Sequence, residues 1–273
     1  MSPLSPERLL IGLAPDALSL LRVSGGAKPR VVDKRTLACE APGSEPWEGA
    51  AAALSRLAGE LGRASARVTV VLSNHFARYA LVPWSAGLRK DEEEAAFARY
   101  CFAKIHGERS KEWDLRLSPG QSGAARVASA VDAPLVQAVR SAFPARAKLV
   151  SVQPYLMSAF NRFRRQLAGA RAWLLVVEPQ RTCLARLEHG RWAAVRNSRG
   201  GLDGPGEWAG LLDRERHLAG SEPVDEDVHV HAAGWKDPTA RVDGWTFRNL
   251  AFSAAEGLAP AESAPYALAL SAL

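Results

Sequence analysis

Apolar and polar positions along the chain fall into two blocks that repeat one plan. "LLIGLAPDALSLLRVSGGAKPRVVDKRTL" (residues 9–37) and "AWLLVVEPQRTCLARLEHGRWAAVRNSRG" (172–200) each read as an apolar strand, a turn, a second strand ending in Arg-aliphatic, a polar glycine-bearing turn and a third strand. "LLRV" at 20–23 matches "LARL" at 184–187 at an offset of 164. Connections this short join antiparallel neighbours, so each block predicts a three-stranded meander. After the first comes a helical pattern, "PWEGAAAALSRLAGELGR" (46–63), with Leu54, Leu57 and Leu61 at helical spacing, then the strand "RVTVVLSN" (67–74). After the second comes "GEWAGLLDRERHLAG" (206–220), with Trp208, Leu211 and Leu212 on one face, then "DVHVHAAG" (227–234). Each half closes on a further strand and helix, "KLVSVQ" with "PYLMSAFNRFRRQLAG" and "GWTFRNLA" with "ESAPYALALSAL". The predicted order is βββαβαβα, twice.

The first copy is interrupted over residues 75–146 by material with its own strand and helix periodicity, including "KDEEEAAFARYCFAKIHG" and "DAPLVQAVRSAF". This predicts an α/β class with three parts: a first half from 1–74 plus 147–170, an inserted α/β subdomain over 75–146, and a second half over 171–273. Asp91, Glu92, Glu93 and Glu94 open a helix, where the macrodipole favours negative charge, and read as capping rather than as a metal cluster.

Composition changes this picture little. The chain has 273 residues, 47% hydrophobic and 23% charged, which suits a soluble globular protein with a sizeable core. No apolar run reaches the roughly 20 residues of a membrane span and no secretory leader is evident, so a cytoplasmic location without a direct membrane span is expected. Cys39, Cys101 and Cys183 are isolated, which points to free thiols rather than a disulfide or zinc framework. The net charge of +6 permits contact with acidic lipid or nucleic acid. With cations scattered, "RFRR" at 162–165 their densest cluster, and no aromatic stacking pattern, nucleic acid is not an expected partner.

The doubled plan with a subdomain inserted in the first half resembles the actin-like superfamily (actin, Hsp70, sugar kinases), whose halves are duplicated ribonuclease H-like units. Within it, "VVLSNHFARYALVPW", the acidic helix, "ASAVDAPLVQAVRSAF", "VSVQPYLMSAFNRF" and "SAPYALALSAL" are similar to the cytoplasmic scaffolds of type IV pilus and type II secretion machines, the PilM, MshI and GspL-cytoplasmic-domain group. The resemblance implies a scaffold at the inner membrane that docks the cytoplasmic tail of a PilN-like or GspL-like bitopic protein beside the insertion. The assembly motor ATPase is a second implied contact. "HFARYALVPW" supplies the partner-binding candidates Phe76, Tyr79, Leu81 and Trp84, residues that serve equally well as core of the insertion.

Measured against ATP-binding members of the superfamily, both phosphate loops depart. The first normally reads Asp-Ile-Gly-Ser/Thr; in register this chain offers Gly12 where the acid belongs, then Leu13, Ala14 and Pro15, with Asp16 further round the turn. The second, "VVEPQRT", has Glu178 in place of Asp, followed by Pro179, Gln180 and Arg181. Each proline removes a backbone donor to phosphate. The second inserted subdomain is missing, only residues 200–226 standing in its place, and the adenosine-loop remnant "HAAGW" keeps a single glycine, Gly234. No cofactor and no catalysis are therefore expected. The alternative is an active ATPase binding Mg-ATP through Asp16, Glu178, Thr182 and Gly234. Two further constellations read as structural: Ser73-Asn74-His75, whose neighbouring side chains point in opposite directions, and His229 with His231, an i, i+2 pair with no third ligand.

Overall fold

A computed structural model describes residues 7–24, 29–40, 43–61, 65–88, 90–169, 171–200, 204–220, 226–252 and 255–273. The first half begins with β1 (Glu7–Leu13), β2 (Ala17–Val23), β3 (Val31–Ala38), α1 (Glu48–Glu60) and β4 (Ala66–Leu72). The insertion follows as β5 (Ala77–Val82), α2 (Asp91–His106), β6 (Trp113–Leu117) and β7 (Arg126–Asp132). The chain returns through α3 (Ala133–Ser141), β8 (Ala147–Pro154) and α4 (Tyr155–Phe163). The second half is β9 (Arg171–Glu178), β10 (Arg181–Glu188), β11 (Arg191–Arg199), α5 (Pro205–Leu218), β12 (Glu226–Ala232), β13 (Thr239–Val242), β14 (Trp245–Asn249) and α6 (Ala267–Ser271).

Both meanders form as the pattern predicts. The first sheet has the order β3-β2-β1-β4-β8, and the second runs β11-β10-β9-β12-β14-β13. In each, the first two pairings are antiparallel and the strands beyond are added in parallel, β1 to β4 to β8 and β9 to β12 to β14. The central strands are covered on both faces, which is why "ERLLIGL" and "RAWLLVVE" carry near-continuous apolar runs instead of strict alternation. Residues 25–28, in the glycine turn of the first meander, and residues 201–203 and 221–225 lie outside the described residues.

Two elements differ from the pattern. Helix α3, which the sequence puts inside the insertion, packs Leu135, Val136 and Val139 into the same core as Leu54 and Leu57 of α1 and Val68 and Val70 of β4. It is the crossover helix between β4 and β8, and the inserted material reduces to the sheet β5-β7-β6 with α2. In the second half the crossover from β12 to β14 contains no helix. Strand β13 takes its place, pairing antiparallel with β14 at the sheet edge through a turn at Asp243 and Gly244, both at positive φ.

The halves exchange their last helices. Helix α4 contributes Tyr155, Leu156, Ala159 and Phe163 to a core shared with Leu174 and Val176 of β9 and Cys183 and Ala185 of β10, on the second sheet. The tail of the second half returns the arrangement: Leu258, Tyr266, Ala269 and Leu270 cover Leu10, Leu21, Val23 and Val31 of the first sheet. The two helices touch where small residues allow it, with Ser271 Oγ donating to Ser158 Oγ at 2.8 Å. Gly12 is required at this crossing, since a Cβ there would stand 2.6 Å from Leu268 Cβ and 3.1 Å from the backbone N of Ala269.

Candidate functional site

The cleft lies where the first turns of the two meanders meet. The β1–β2 turn supplies Ala14, Pro15 and Asp16, and the β9–β10 turn supplies Glu178, Pro179 and Gln180. With His75 from the loop after β4 they line a cavity of about 190 Å³. The offset of 164 carries Ala14 onto Glu178 and Pro15 onto Pro179. Matching hairpin geometry supports this register, for Ala14 N donates to Ala17 O as Glu178 pairs with Arg181. Gly12 therefore does not occupy the place of the missing first-loop acid. It lies inside β1 against α6, and Ala14 occupies that place.

Glu178 is buried, and both its carboxyl oxygens are taken by the opposite half. Ser73 Oγ donates to Oε1 at 2.5 Å, and the backbone N–H of Asn74 donates to Oε2 at 2.9 Å. Desolvation by burial pushes this carboxyl up to about 7, and the bonds from Ser73 and Asn74 oppose that rise without cancelling it. The ring of His75 donates from Nε2 to the carbonyl of Pro179 at 2.8 Å. Asn197 on β11 donates through Nδ2 to the carbonyls of Asn74 and Ala77, each at 2.8 Å. Asn74 is itself fixed from the first half, its Oδ1 accepting from Tyr79 Oη at 2.6 Å and from the backbone N of Leu156 at 3.0 Å. Ser73-Asn74-His75 is thus a latch from the first half onto the second. No Ser-His dyad forms, because Ser73 Oγ meets the backbone N of His75 at 3.1 Å while the ring points to Pro179.

The residues named for a magnesium nucleotide line three different cavities. Asp16 and Glu178 share the cleft cavity, whose volume falls below the roughly 300 Å³ at the lower end of ligand pockets. Thr182 is one strand position on from Arg181 and faces α5, lining a separate cavity with Ser198, Arg199, Gly210 and Leu211. Gly234, at φ +96°, lines a third with His231, Trp235, Asn249 and Leu258. Asp16 and Glu178 thus share one cavity, while Thr182 and Gly234 each line another.

His231 is structural, its Nδ1–H donating to Leu250 O at 2.7 Å and its Nε2 accepting from Tyr155 Oη at 2.6 Å, beside Phe163 and Phe252. Full burial lowers its pKa to about 4. Among the described residues no group of three His, Cys, Asp or Glu side chains could hold a metal ion.

The partner candidates from "HFARYALVPW" scatter by burial. Phe76 is core, 2% exposed and packed with β1, β4 and α1, so it offers no docking surface. Tyr79 and Leu81 point from β5 toward the second half, where both pack on the core shared by α4 and β9. Only Trp84, 48% exposed, stands free at the surface. The opening in this region lies one strand away. One face of the β5-β7-β6 sheet is covered by α2 through Ala98 and Phe102. On the other, Asp114, Arg116, Ser129 and Val131 face Val136 and Arg140 of α3 and Val152 and Pro154 of β8, enclosing a groove of about 110 Å³. Strand β8 ends the first sheet, so its outer edge borders this groove unpaired among the described residues. The alternation of "WDLRL", with Trp113, Leu115 and Leu117 toward α2, is the sequence signal that assigns Asp114 and Arg116 to the groove side.

No family model and no curated protein matches the sequence. Solved structures do match in fold. A chain of a PilM-PilN type IV pilus biogenesis complex superposes with a TM-score of 0.64 at 19% identity, over 97% of each chain. The cytoplasmic domain of EpsL, an inner-membrane component of the type II secretion system of Vibrio cholerae, gives 0.54 at 12% identity over 82% of this chain and 81% of that one. A Bacteroides thetaiotaomicron protein with an actin-like ATPase fold and unknown function gives 0.58 at 11% identity over 83% and 82%. The fold is actin-like.

Proposed function

We propose that this chain is a non-catalytic scaffold of a type IV pilus or type II secretion assembly platform, held in the cytoplasm at the inner membrane by a PilN-like or GspL-like partner. The observation that carries the reading is the fate of Glu178. The carboxylate that would stand nearest a metal and phosphate is buried, its pKa pushed up to about 7 by that burial, and bonded through both oxygens to Ser73 and Asn74. A cleft latched in this way holds the halves in one relation, which suits a rigid platform. Likeness in fold to a PilM-PilN complex chain along 97% of both lengths, and to the EpsL cytoplasmic domain, supports the setting.

The groove between β8 and the inserted sheet is the docking place in this reading. Its apolar floor of Leu72, Val131, Val136 and Val152 takes alternate side chains of an extended segment, while the β8 edge offers backbone groups to it. Arg116 and Arg140 both pair with Asp114 here, at 3.2 and 3.1 Å, and the one positive charge left over favours a segment with an acidic residue. The test is fluorescence anisotropy with the cytoplasmic N-terminal peptide of a PilN-like or GspL-like bitopic membrane protein from the same organism. Micromolar binding that Val152→Asp abolishes, in a variant that circular dichroism shows still folded at the assay temperature, is the expected result. Binding unaffected by both Val152→Asp and Arg140→Glu would remove the groove from the reading, and Mg-ATP binding tighter than about 100 μM would remove the non-catalytic assignment.

A further inference from the structure

From Ala133 to Val177 the sequence has seven Arg and Lys residues and no Asp or Glu. The whole chain has a net charge of +6, so the remainder carries no net positive charge. The fold gathers five of these and related cations at one end. Arg67 and Lys148 are paired neighbours near the starts of β4 and β8. They lie on the face of the first sheet that α6 covers, at the end away from Val71, which shares that face of β4 and packs with α4. Helix α4 leaves the far end of β8 at Pro154 and runs back for nine residues, about 13 Å at 1.5 Å per residue. That nearly matches the run of β4 from Leu72 to Arg67, about 16 Å. Its end therefore brings Arg162, Arg164 and Arg165 to the Arg67 and Lys148 end, away from the cleft.

All five side chains belong to exposed residues, and none makes an ion pair or side-chain hydrogen bond among the described residues. Many other cations are matched, among them Arg22 with Glu7, Arg35 with Asp33, Arg56 with Glu40 and Arg248 with Asp227, whereas Arg191, Arg214, Lys236 and Arg241 stand singly at other places among the described residues. No acidic residue belongs to the start of β4 or β8, to α4 or to α6. Beside the cluster, Phe160 of α4, one turn before Arg164, packs on Trp192 of β11 with ring centroids 4.6 Å apart, and both are only partly buried. None of the cavities described above reaches this end.

We infer that this end of the molecule is a docking surface for an anionic lipid bilayer. The chemistry is that of a peripheral membrane contact: unpaired arginines and a lysine for the headgroup charge, and an aromatic pair at the level where such rings settle. Spread over two strands and a helix end instead of enclosing a pocket, the cations suit an extended negative surface better than a discrete acidic peptide. The inference does not depend on the scaffold reading, because it concerns the chain without any partner.

The experiment is co-sedimentation of the full chain with vesicles of phosphatidylcholine alone or with about 30% phosphatidylglycerol, at about 0.15 M and about 0.5 M salt. Binding is expected only to the anionic vesicles and is lost at the higher salt. Arg164→Ala with Arg165→Ala should weaken the partition about 30-fold, the effect of two surface cations. Arg35→Ala with Arg56→Ala, equal in charge but at another place and already paired, should leave it unchanged, and melting curves of both variants should match the parent. Equal loss in the two double variants would reduce the effect to bulk charge and overturn the inference. So would absence of binding to anionic vesicles, including the case in which the chain binds heparin or an acidic peptide instead.

Discussion

Replacing Glu178 by glutamine reads the latch directly. Moving a carboxyl from its ordinary 4.5 to about 7 on folding is worth about 3 kcal/mol at 1.36 kcal/mol per pH unit. Below pH 4.5 the group is protonated both folded and unfolded, and the burial costs nothing extra. Between pH 4.5 and 7 the unfolded chain ionises while the folded one keeps its proton, so stability falls as pH rises. Above pH 7 the full penalty is present. Glutamine copies the protonated acid, since Oε1 accepts from Asn74 N–H and Nε2 donates to Ser73 Oγ, and it does not titrate. Chemical denaturation of the Glu178→Gln variant should therefore give a stability close to the parent at pH 4.5 and about 2–3 kcal/mol above it at pH 8. In thermal melts this is roughly 5–10 °C for a chain of this size. A variant less stable than the parent by the same amount at both pH values would refute the reasoning, because it would mean that the buried group is an ionised carboxylate stabilised by its two donors.

Asn74→Ala strips acceptors from Tyr79 Oη and from the backbone N of Leu156, both buried, and should destabilise by about 2–4 kcal/mol in urea titrations. Gly12→Ala forces a methyl against Leu268 and Ala269 and should lower stability by about 1–3 kcal/mol, whereas Gly59→Ala, with nothing near its added Cβ, should not. His231 is held neutral with a pKa near 4, so its contribution is complete above pH 6.5 and is lost as pH falls through 4. In the Glu178→Gln background, where the opposing titration is gone, stability should rise steadily from pH 4 to 6.5. Calorimetry with Mg-ATP should show no binding below about 100 μM, and Pro15→Gly with Pro179→Gly should not create it, since returning two backbone donors of roughly 1.5–3 kcal/mol each leaves Ala14 without a carboxylate and Glu178 latched.

The meanders were legible because their signal is local: apolar strands separated by short turns permit one pairing, and the offset of 164 repeats it. The boundary of the insertion was not, because the apolar stripe of "DAPLVQAVRSAF" fits a helix packed on either neighbour, and only the contacts of Leu135 and Val139 with α1 decide between them. Residues 235–244 follow the same logic in reverse. A helix was expected from the repeat, yet Pro238 and the turn at Asp243-Gly244 favour the short hairpin that forms. In the cleft, the missing acid and the two prolines could be read from the loops, although its register fell two residues short, at Gly12 instead of Ala14. What no local pattern carried was the bond between Ser73-Asn74 and Glu178, residues 104 or more apart in sequence. A buried carboxylate is recognised by what surrounds it, and that depends on the closed fold.

The exchange of terminal helices sets an order of events during synthesis. When residues up to 163 have left the ribosome, α1 and α3 can cover one face of the first sheet, but Leu10, Leu21 and Val23 on the other face wait for residues 255–270. Helix α4, made early, waits for the second sheet. Neither half can bury its own apolar surface alone, so the nascent chain keeps a greasy sheet face open until residues 255–270 emerge. This organisation predicts a strong call on holding chaperones and one cooperative folding transition after release, instead of two domains maturing in turn.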